Sequence, residues 1–324
     1  MKSIKFMCLN GAFALAATGF VTVVPGQAFA ASVAPNGWFA ETMVASEASR
    51  IGSDGKVAEE LEDTQDDAVK RSTLSTDSSL DLPTEGKSTA TASAIADLAA
   101  GTLKAGATAE VGNTGGPSGF SAQSSGAATM GDTLTFTGGM GTLATVNLGV
   151  DGTINSDALA AGAFIGSSFT IRAEVAIYDG SFAGDSQSWQ CLGKDVCSAL
   201  DYDSYERLVI FGSSDDSVNE ITDMLDEVLT ASTTLTSNNQ TLKIFGHLFV
   251  SAVRFGDNNG LTDLDFTHTA TFSVQTDSSV SYSSASQVFL TEAETTTPAV
   301  PLPAGLPLLI GGLGALGLVR RRRK

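Results

Sequence analysis

The sequence has few of the residues from which catalytic and metal sites are usually built. Its 324 residues include two histidines and three cysteines, and aromatic residues make up 7%. His247 and His268 cannot by themselves form a three-histidine zinc site. The sequence contains neither a Gly-x-Ser-x-Gly motif nor a His-Glu-x-x-His motif. We therefore predict no catalytic residue, no metal site and no cofactor.

Basic residues are also scarce, and many of them lie at the two ends of the chain. Seven of the 18 Lys and Arg residues fall in the terminal segments, which leaves 11 against 36 Asp and Glu residues and a net charge of −25 for residues 31–304. Such a charge is repelled by nucleic-acid phosphates. Nucleic acid is therefore not an expected partner.

The first 30 residues have the parts of a secretory signal peptide. Lys2 and Lys5 precede an apolar run at residues 6–24, and the small residues Ala28 and Ala30 form a cleavage site. We expect export through the Sec machinery and cleavage by signal peptidase after Ala30.

A second apolar segment lies near the C-terminus. Residues 299–319 carry no charge, and as a helix they would rise about 30 Å, enough to cross a membrane. They are followed by a basic stop, which should stay on the cytoplasmic side: Arg320, Arg321, Arg322, Arg323 and Lys324. The segment opens, after a linker at 293–299, with the motif Val300, Pro301, Leu302, Pro303 and Ala304.

The order of motif, apolar helix and arginine cluster resembles the VPLPA-CTERM sorting signal, a variant of the PEP-CTERM class. The resemblance covers residues 300–324. It implies a protein of a Gram-negative envelope that is held briefly in the inner membrane, processed by an exosortase-type transpeptidase and delivered to the cell surface or extracellular matrix. A permanent tail anchor is the alternative. Residues 262–290 are also similar to the last strands of many PEP-CTERM-type exoproteins, which implies an all-β body.

Two cysteines remain after removal of the leader. Cys191 and Cys197 are separated by five residues, and in an oxidising compartment such a pair predicts one disulfide. Closing so short a loop would stabilise the fold by about 2 kcal/mol in the loop-entropy model.

The amino-acid composition of the region after the leader changes near Lys87. Residues 31–87 are polar and acidic, which predicts a loose N-terminal subregion. Within it, the spacing of Val57, Leu61 and Val69 favours a short surface helix.

Residues 88–292 are rich in short alternating segments separated by turn residues. Four of these segments predict half-buried strands: 134–137, 144–150, 169–177 and 242–250. Residues 218–229 instead have helical spacing, although the Thr-rich run after them leaves a strand open for the second half. The turn at 237–240 predicts a hairpin. We predict a mainly β fold, a single β-sandwich of jelly-roll type.

These features favour a protein of the cell surface or matrix without catalytic activity. A carbohydrate-binding module or adhesin is the alternative, with exopolysaccharide as its partner and Trp38 or Trp189 as stacking platforms. A secreted polysaccharide hydrolase stays open because a pair of carboxylates cannot be picked out from so many acidic residues. The acidic stretch at 257–265 offers oxygen ligands for Ca²⁺ but lacks the spacing of an EF-hand loop.

Overall fold

A computed structural model describes residues 37–50, 57–66, 71–83, 86–113, 119–157, 168–179, 204–213, 221–256 and 259–291. Within these ranges the chain forms strands, turns and bends, and no helix. No helix there has the length and hydropathy that crossing a membrane requires.

The chain forms thirteen described strands. In order they are β1 (Trp38–Arg50), β2 (Val57–Asp66), β3 (Arg71–Leu82), β4 (Gly86–Asp97), β5 (Thr102–Asn113), β6 (Phe120–Thr137), β7 (Leu143–Ser156), β8 (Ser168–Asp179), β9 (Ser204–Ser213), β10 (Ile221–Thr234), β11 (Asn239–Gly256), β12 (Gly260–Gln275) and β13 (Ser281–Ser284).

The strands make two antiparallel sheets that pack as a sandwich. Sheet A has the order β2-β1-β6-β11-β8-β9, with β13 added to β6, and sheet B has the order β10-β7-β12-β5-β4-β3. Side chains alternate between the two faces of each strand, so every register row lies on one face of its sheet. The prediction of a mainly β, sandwich-like fold is confirmed at this level.

The four predicted strand segments lie inside β6, β7, β8 and β11. The helix favoured by the spacing of Val57 and Leu61 is wrong where the structure describes it, and so is the helical interpretation of 218–229, whereas the strand left open for its second half is confirmed. Residues 57–66 form β2, which pairs with β1 over ten positions. Residues 221–234 form β10, which pairs with β7 along its whole length, because the ladder hydrogen bonds and the burial of alternate residues outweigh the local helical spacing.

The predicted hairpin at 237–240 is also wrong. This turn joins β10 in sheet B to β11 in sheet A, so it carries the chain from one sheet to the other. Likewise, β1 and β3 precede the boundary predicted near Lys87, yet they pair with β6 and β4. The sandwich therefore extends well to the N-terminal side of that boundary.

Small residues let the two sheets approach closely on the side of β1, β3 and β4. The inward-facing residues of β4 and β5 are largely alanines: Ala90, Ala92, Ala94, Ala96, Ala105, Ala107 and Ala109. A Cβ atom at Gly126 in β6 would lie 2.5 Å from the backbone oxygen of Ser93 in β4. The contact is therefore between backbones, and only glycine fits there.

Buried hydroxyl groups link the sheets along the same side. Thr42 and Ser72 hydroxyls are 2.7 Å apart, and the Ser46 hydroxyl lies 2.8 Å from that of Ser78. The Ser124 hydroxyl donates to the Thr108 carbonyl at 2.9 Å. These bonds satisfy polar groups that would be costly to bury alone. The other half of the core is built from larger residues, among them Phe120, Phe136, Phe169, Phe266 and Leu148.

Candidate functional site

One register row on the face of sheet A that points away from sheet B carries ionisable groups. We call it the charged row. Consecutive strands β1, β6, β11, β8 and β9 contribute one residue each: Glu41, Thr129, His247, Glu174 and Arg207. Glu41 is 5% exposed and Glu174 is fully buried, whereas Arg207 lies exposed on the edge strand. The row therefore places two carboxyl groups in a low-dielectric setting, next to an imidazole that is partly buried.

Polar contacts connect the members of the charged row. The Thr129 hydroxyl and His247 Nδ1 are 2.8 Å apart. Arg172, two residues before Glu174 on β8, places its Nε 3.9 Å from Glu174 Oε1. Among the described residues neither carboxylate oxygen of Glu174 makes a hydrogen bond of full geometry, although the Tyr205 hydroxyl is close enough to lower the pKa of Glu174 slightly. The negative charge of Glu174 is therefore stabilised mainly by the charges of Arg172 and Arg207 and little by hydrogen bonds.

Aromatic side chains cover the next two rows of the same face. Phe39, Phe245 and Tyr178 are buried there, with Tyr205 partly buried beside them. The Phe39 and Phe245 rings lie 5.8 Å apart, and Tyr178 meets Phe245 edge to face at 5.1 Å. A Cβ at Gly131 would come within 2.6 Å of both phenylalanine rings, so the glycine makes room for them. This apolar wall lowers the dielectric around the charged row.

The surroundings shift the ionisation of the row in a consistent direction. Burial raises the pKa of Glu174 to about 7, and the charges of Arg172 and Arg207 offset only part of that effect. Burial also raises the pKa of Tyr205. Burial, assisted by the Arg172 charge, lowers the pKa of His247 to about 3. At neutral pH the imidazole is therefore uncharged, and Glu174 is close to half-protonated.

A carboxyl group with a pKa near 7 has the ionisation that general acid–base catalysis uses. Catalysis also needs the group to come within hydrogen-bonding reach of a substrate. Glu174 has no exposed surface. The arrangement can hold and exchange a proton inside the fold, but its geometry offers no contact to an external substrate.

The outward face of sheet B, which we call the polar face, has a different character. Its groups are partly exposed and bond to one another across strands: the Thr108 hydroxyl donates to Asp263 Oδ1 at 2.7 Å, and the Thr230 hydroxyl donates to Asn147 Oδ1 at 2.9 Å. Lys87 Nζ lies 2.6 Å from Glu110 Oε1, and this hydrogen bond lowers the pKa of Glu110. The polar face is therefore a hydrated surface of largely paired groups.

The residues predicted to direct sorting, cleavage and disulfide formation all lie outside the described ranges. This applies to the signal cleavage residues, to both cysteines and to the whole C-terminal motif with its basic stop: Ala28, Ala30, Cys191, Cys197, Val300, Pro301, Leu302, Pro303, Ala304, Arg320, Arg321, Arg322, Arg323 and Lys324. Trp189 is outside them as well. Their assignments remain predictions.

Two other candidates can be placed. Trp38 is 9% exposed and belongs to the main hydrophobic core, so it cannot serve as a sugar-stacking platform. Asp263 and Asp265 accept hydrogen bonds from the hydroxyls of Thr108 and Thr267. Across the described ranges, no group of three or more His, Cys, Asp or Glu side chains has the arrangement of a metal site.

Comparisons with protein-family models, with curated proteins and with solved structures gave no match to this chain. Its function must therefore be argued from its own residues.

Reasoning from the sequence did not identify the charged row. Its members are spread from Glu41 to His247 along the chain, and only the strand register brings them together. A signal was present in β8, where Arg172 and Glu174 interrupt an apolar alternation. That pattern is typical of a strand with one solvent-exposed face, which is the opposite of what the burial of Glu174 shows.

Proposed function

We propose that this chain is an exported, exosortase-processed protein of the cell surface or extracellular matrix that has no catalytic activity. Its expected partners are the Sec machinery and signal peptidase, then an exosortase-type transpeptidase during a transient inner-membrane stage. The proposal includes the cleaved leader, the C-terminal membrane helix and a jelly-roll type of sandwich. The two antiparallel sheets, between which the chain crosses repeatedly, support the last of these.

The observation that carries the non-catalytic part is the burial of Glu174. Among the described residues it is the carboxyl group whose pKa is best suited to acid–base chemistry, and it has no exposed surface. The partly exposed carboxylates of the polar face, by contrast, are held by hydroxyl and ammonium groups. Neither arrangement supplies an accessible acid and base.

A turnover assay tests this proposal. The exported protein is incubated with neutral, acidic and basic polysaccharides, and newly formed reducing ends are counted. We expect none above a heat-inactivated control. Release of reducing ends that disappears in a folded Glu174→Gln variant would show that the charged row is catalytic and that the proposal is wrong.

Carbohydrate binding is the second candidate, and the polar face is the observation that favours it. Rows of hydroxyl, amide and carboxylate groups on an open sheet can exchange their mutual hydrogen bonds for bonds to sugar hydroxyls. If this face binds exopolysaccharide, Asp263→Asn should weaken saturable binding at least about tenfold, since it alters a charged hydrogen-bonding group. Asp277→Asn, in an exposed turn away from these rows, is the matched control. Equal effects of both substitutions would contradict a site on the polar face.

A further inference from the structure

The last described residues, 281–291, fasten the C-terminal end of the sandwich. We call them the clasp. β1 pairs with β6 from Asp132 toward Phe120, and β13 occupies the next stretch of the same edge of β6, from Leu134 to Thr137. The backbone N–H of Ala285 donates to the Thr133 carbonyl at 2.9 Å and closes the gap between them. The first and last described strands thus lie end to end along one partner.

The Asp132 carboxylate holds the turn that follows β13. Its Oδ1 accepts hydrogen bonds from the backbone N–H groups of Ala285 at 3.1 Å and Ser286 at 3.3 Å, and its Oδ2 accepts one from the Ser286 hydroxyl. Ser286 Oγ in turn accepts from the N–H groups of Val288 at 3.2 Å and Phe289 at 3.1 Å. One buried carboxylate therefore holds four of the five residues at 285–289, two of them directly and two through Ser286.

The end of the clasp reaches across to sheet B. The Leu290 N–H donates to the Leu98 carbonyl at 3.0 Å, and the Phe289 ring meets Phe272 edge to face at 6.0 Å. A Cβ at Gly101, which has φ +66°, would lie 2.1 Å from Leu290 Cδ2, so the leucine fills the space that a side chain would need. The clasp consequently engages both sheets.

We propose that the clasp is the mechanical link between the sandwich and the attachment of its C-terminal end, an inference that rests on the proposed surface attachment. A pull on the chain beyond residue 291 meets Leu290 and Phe289 first, then the Ser286 and Asp132 bonds, and only then β13. A four-residue strand is near the short end of the usual range, so its ladder alone supplies few hydrogen bonds against peeling. The contacts that follow it in sequence shield it from the load.

Hydrogen exchange of the full chain tests whether the clasp is held in this way. Asp132→Ala should make the amides of Ala285, Phe289 and Leu290 exchange at least about tenfold faster, the factor expected when a hydrogen bond to a charged group is lost. Ser286→Ala provides the same test with a smaller change at the centre of the clasp. The matched control is Asp277→Ala, because Asp277 Oδ1 holds the N–H and hydroxyl of Ser279 in the same way just outside the clasp.

Force spectroscopy on the same variants tests the mechanical role. With the handle beyond residue 291, we expect Asp132→Ala and Ser286→Ala to lower the first rupture force, and with the handle at Ser278, before β13, we expect no change. Unchanged exchange in the clasp, or equal loss of force with both handles, would overturn the inference. An unprocessed tail on the exported protein would contradict the proposed function while leaving these measurements intact, so the two failures can be told apart.

Discussion

The burial of Glu174 should make the stability of this protein fall as the pH rises through neutrality. Burial raises the pKa of this carboxyl group in the folded state to about 7, against an ordinary value of 4.5. Its contribution to stability is therefore fully present below about pH 4.5 and is lost progressively as the pH rises through about 7. At about 1.4 kcal/mol for each pH unit between these values, the full loss is about 3 kcal/mol.

The substitution Glu174→Gln removes the ionisation but keeps the size of the side chain. We expect the variant to gain stability relative to the wild type as the pH rises, by about 2 kcal/mol between about pH 5.5 and about pH 8.5, because part of the 3 kcal/mol is already lost at the lower pH. Urea unfolding of both proteins at several pH values, followed by circular dichroism, measures this difference.

The control is Glu110→Gln on the polar face. The hydrogen bond from Lys87 lowers the pKa of Glu110, so its contribution is lost only as the pH falls into the acidic range. The stability difference between this variant and the wild type should therefore stay constant across the same window. If the curves of the wild type and Glu174→Gln are parallel, the carboxyl group does not titrate in the folded protein as the charged row requires, and the reasoning is refuted.

Four further predictions concern packing, a buried cation and the terminal segments. Gly126→Ala should lower the free energy of unfolding by about 3 kcal/mol, because its methyl group would lie 2.5 Å from a backbone oxygen of β4. The control is Gly149→Ala, whose methyl group would have its nearest neighbour at 3.9 Å. This variant should lose much less unfolding free energy in the same urea titration. Arg254→Lys should lower the free energy of unfolding by about 3 kcal/mol in the same titration. The guanidinium donates to two hydroxyls and two carbonyls at the end of the sandwich, and an ammonium group cannot span them. Mass spectrometry of the exported protein should find a chain without its leader and without Lys324; an intact C-terminus on most molecules would contradict processing. Thiol labelling of the denatured, non-reduced mature protein should find no free thiol, and two free thiols would exclude the disulfide.

The strands that could be predicted from the sequence are those with large apolar residues at alternate positions. In β8, for example, Phe169, Ile171 and Val175 face the core, and the period of two is visible without any knowledge of the fold. In β1 and β3 the buried positions hold residues such as Thr42 and Ser72, whose side chains also occur on surfaces. Periodicity in polarity is then lost, although burial still alternates along β3, whereas β1 is buried on both faces.

Two further errors have physical causes that lie outside the local sequence. In β10, Leu225 and Leu229 face inward while Met224 and Val228 are exposed, and this mixture imitates the spacing of an amphipathic helix. The turn after β10 has the composition of a hairpin, yet the next strand pairs with β6 and β8, because the register of sheet A determines its neighbours. Such pairing decisions depend on strands distant in the sequence.

β6 connects the packing of the sandwich with the role proposed for the clasp. It spans 18 residues and pairs with β1, β11 and β13, so it has partners on both edges. Gly126 brings its backbone against sheet B, and Asp132 holds the clasp beside its other end. Load that enters through the clasp therefore reaches the described strand with the most partners. Breaking that strand free would require several ladders and the contact between the sheets to fail together. A chain held at a surface by its C-terminal end would gain resistance to extraction from this arrangement.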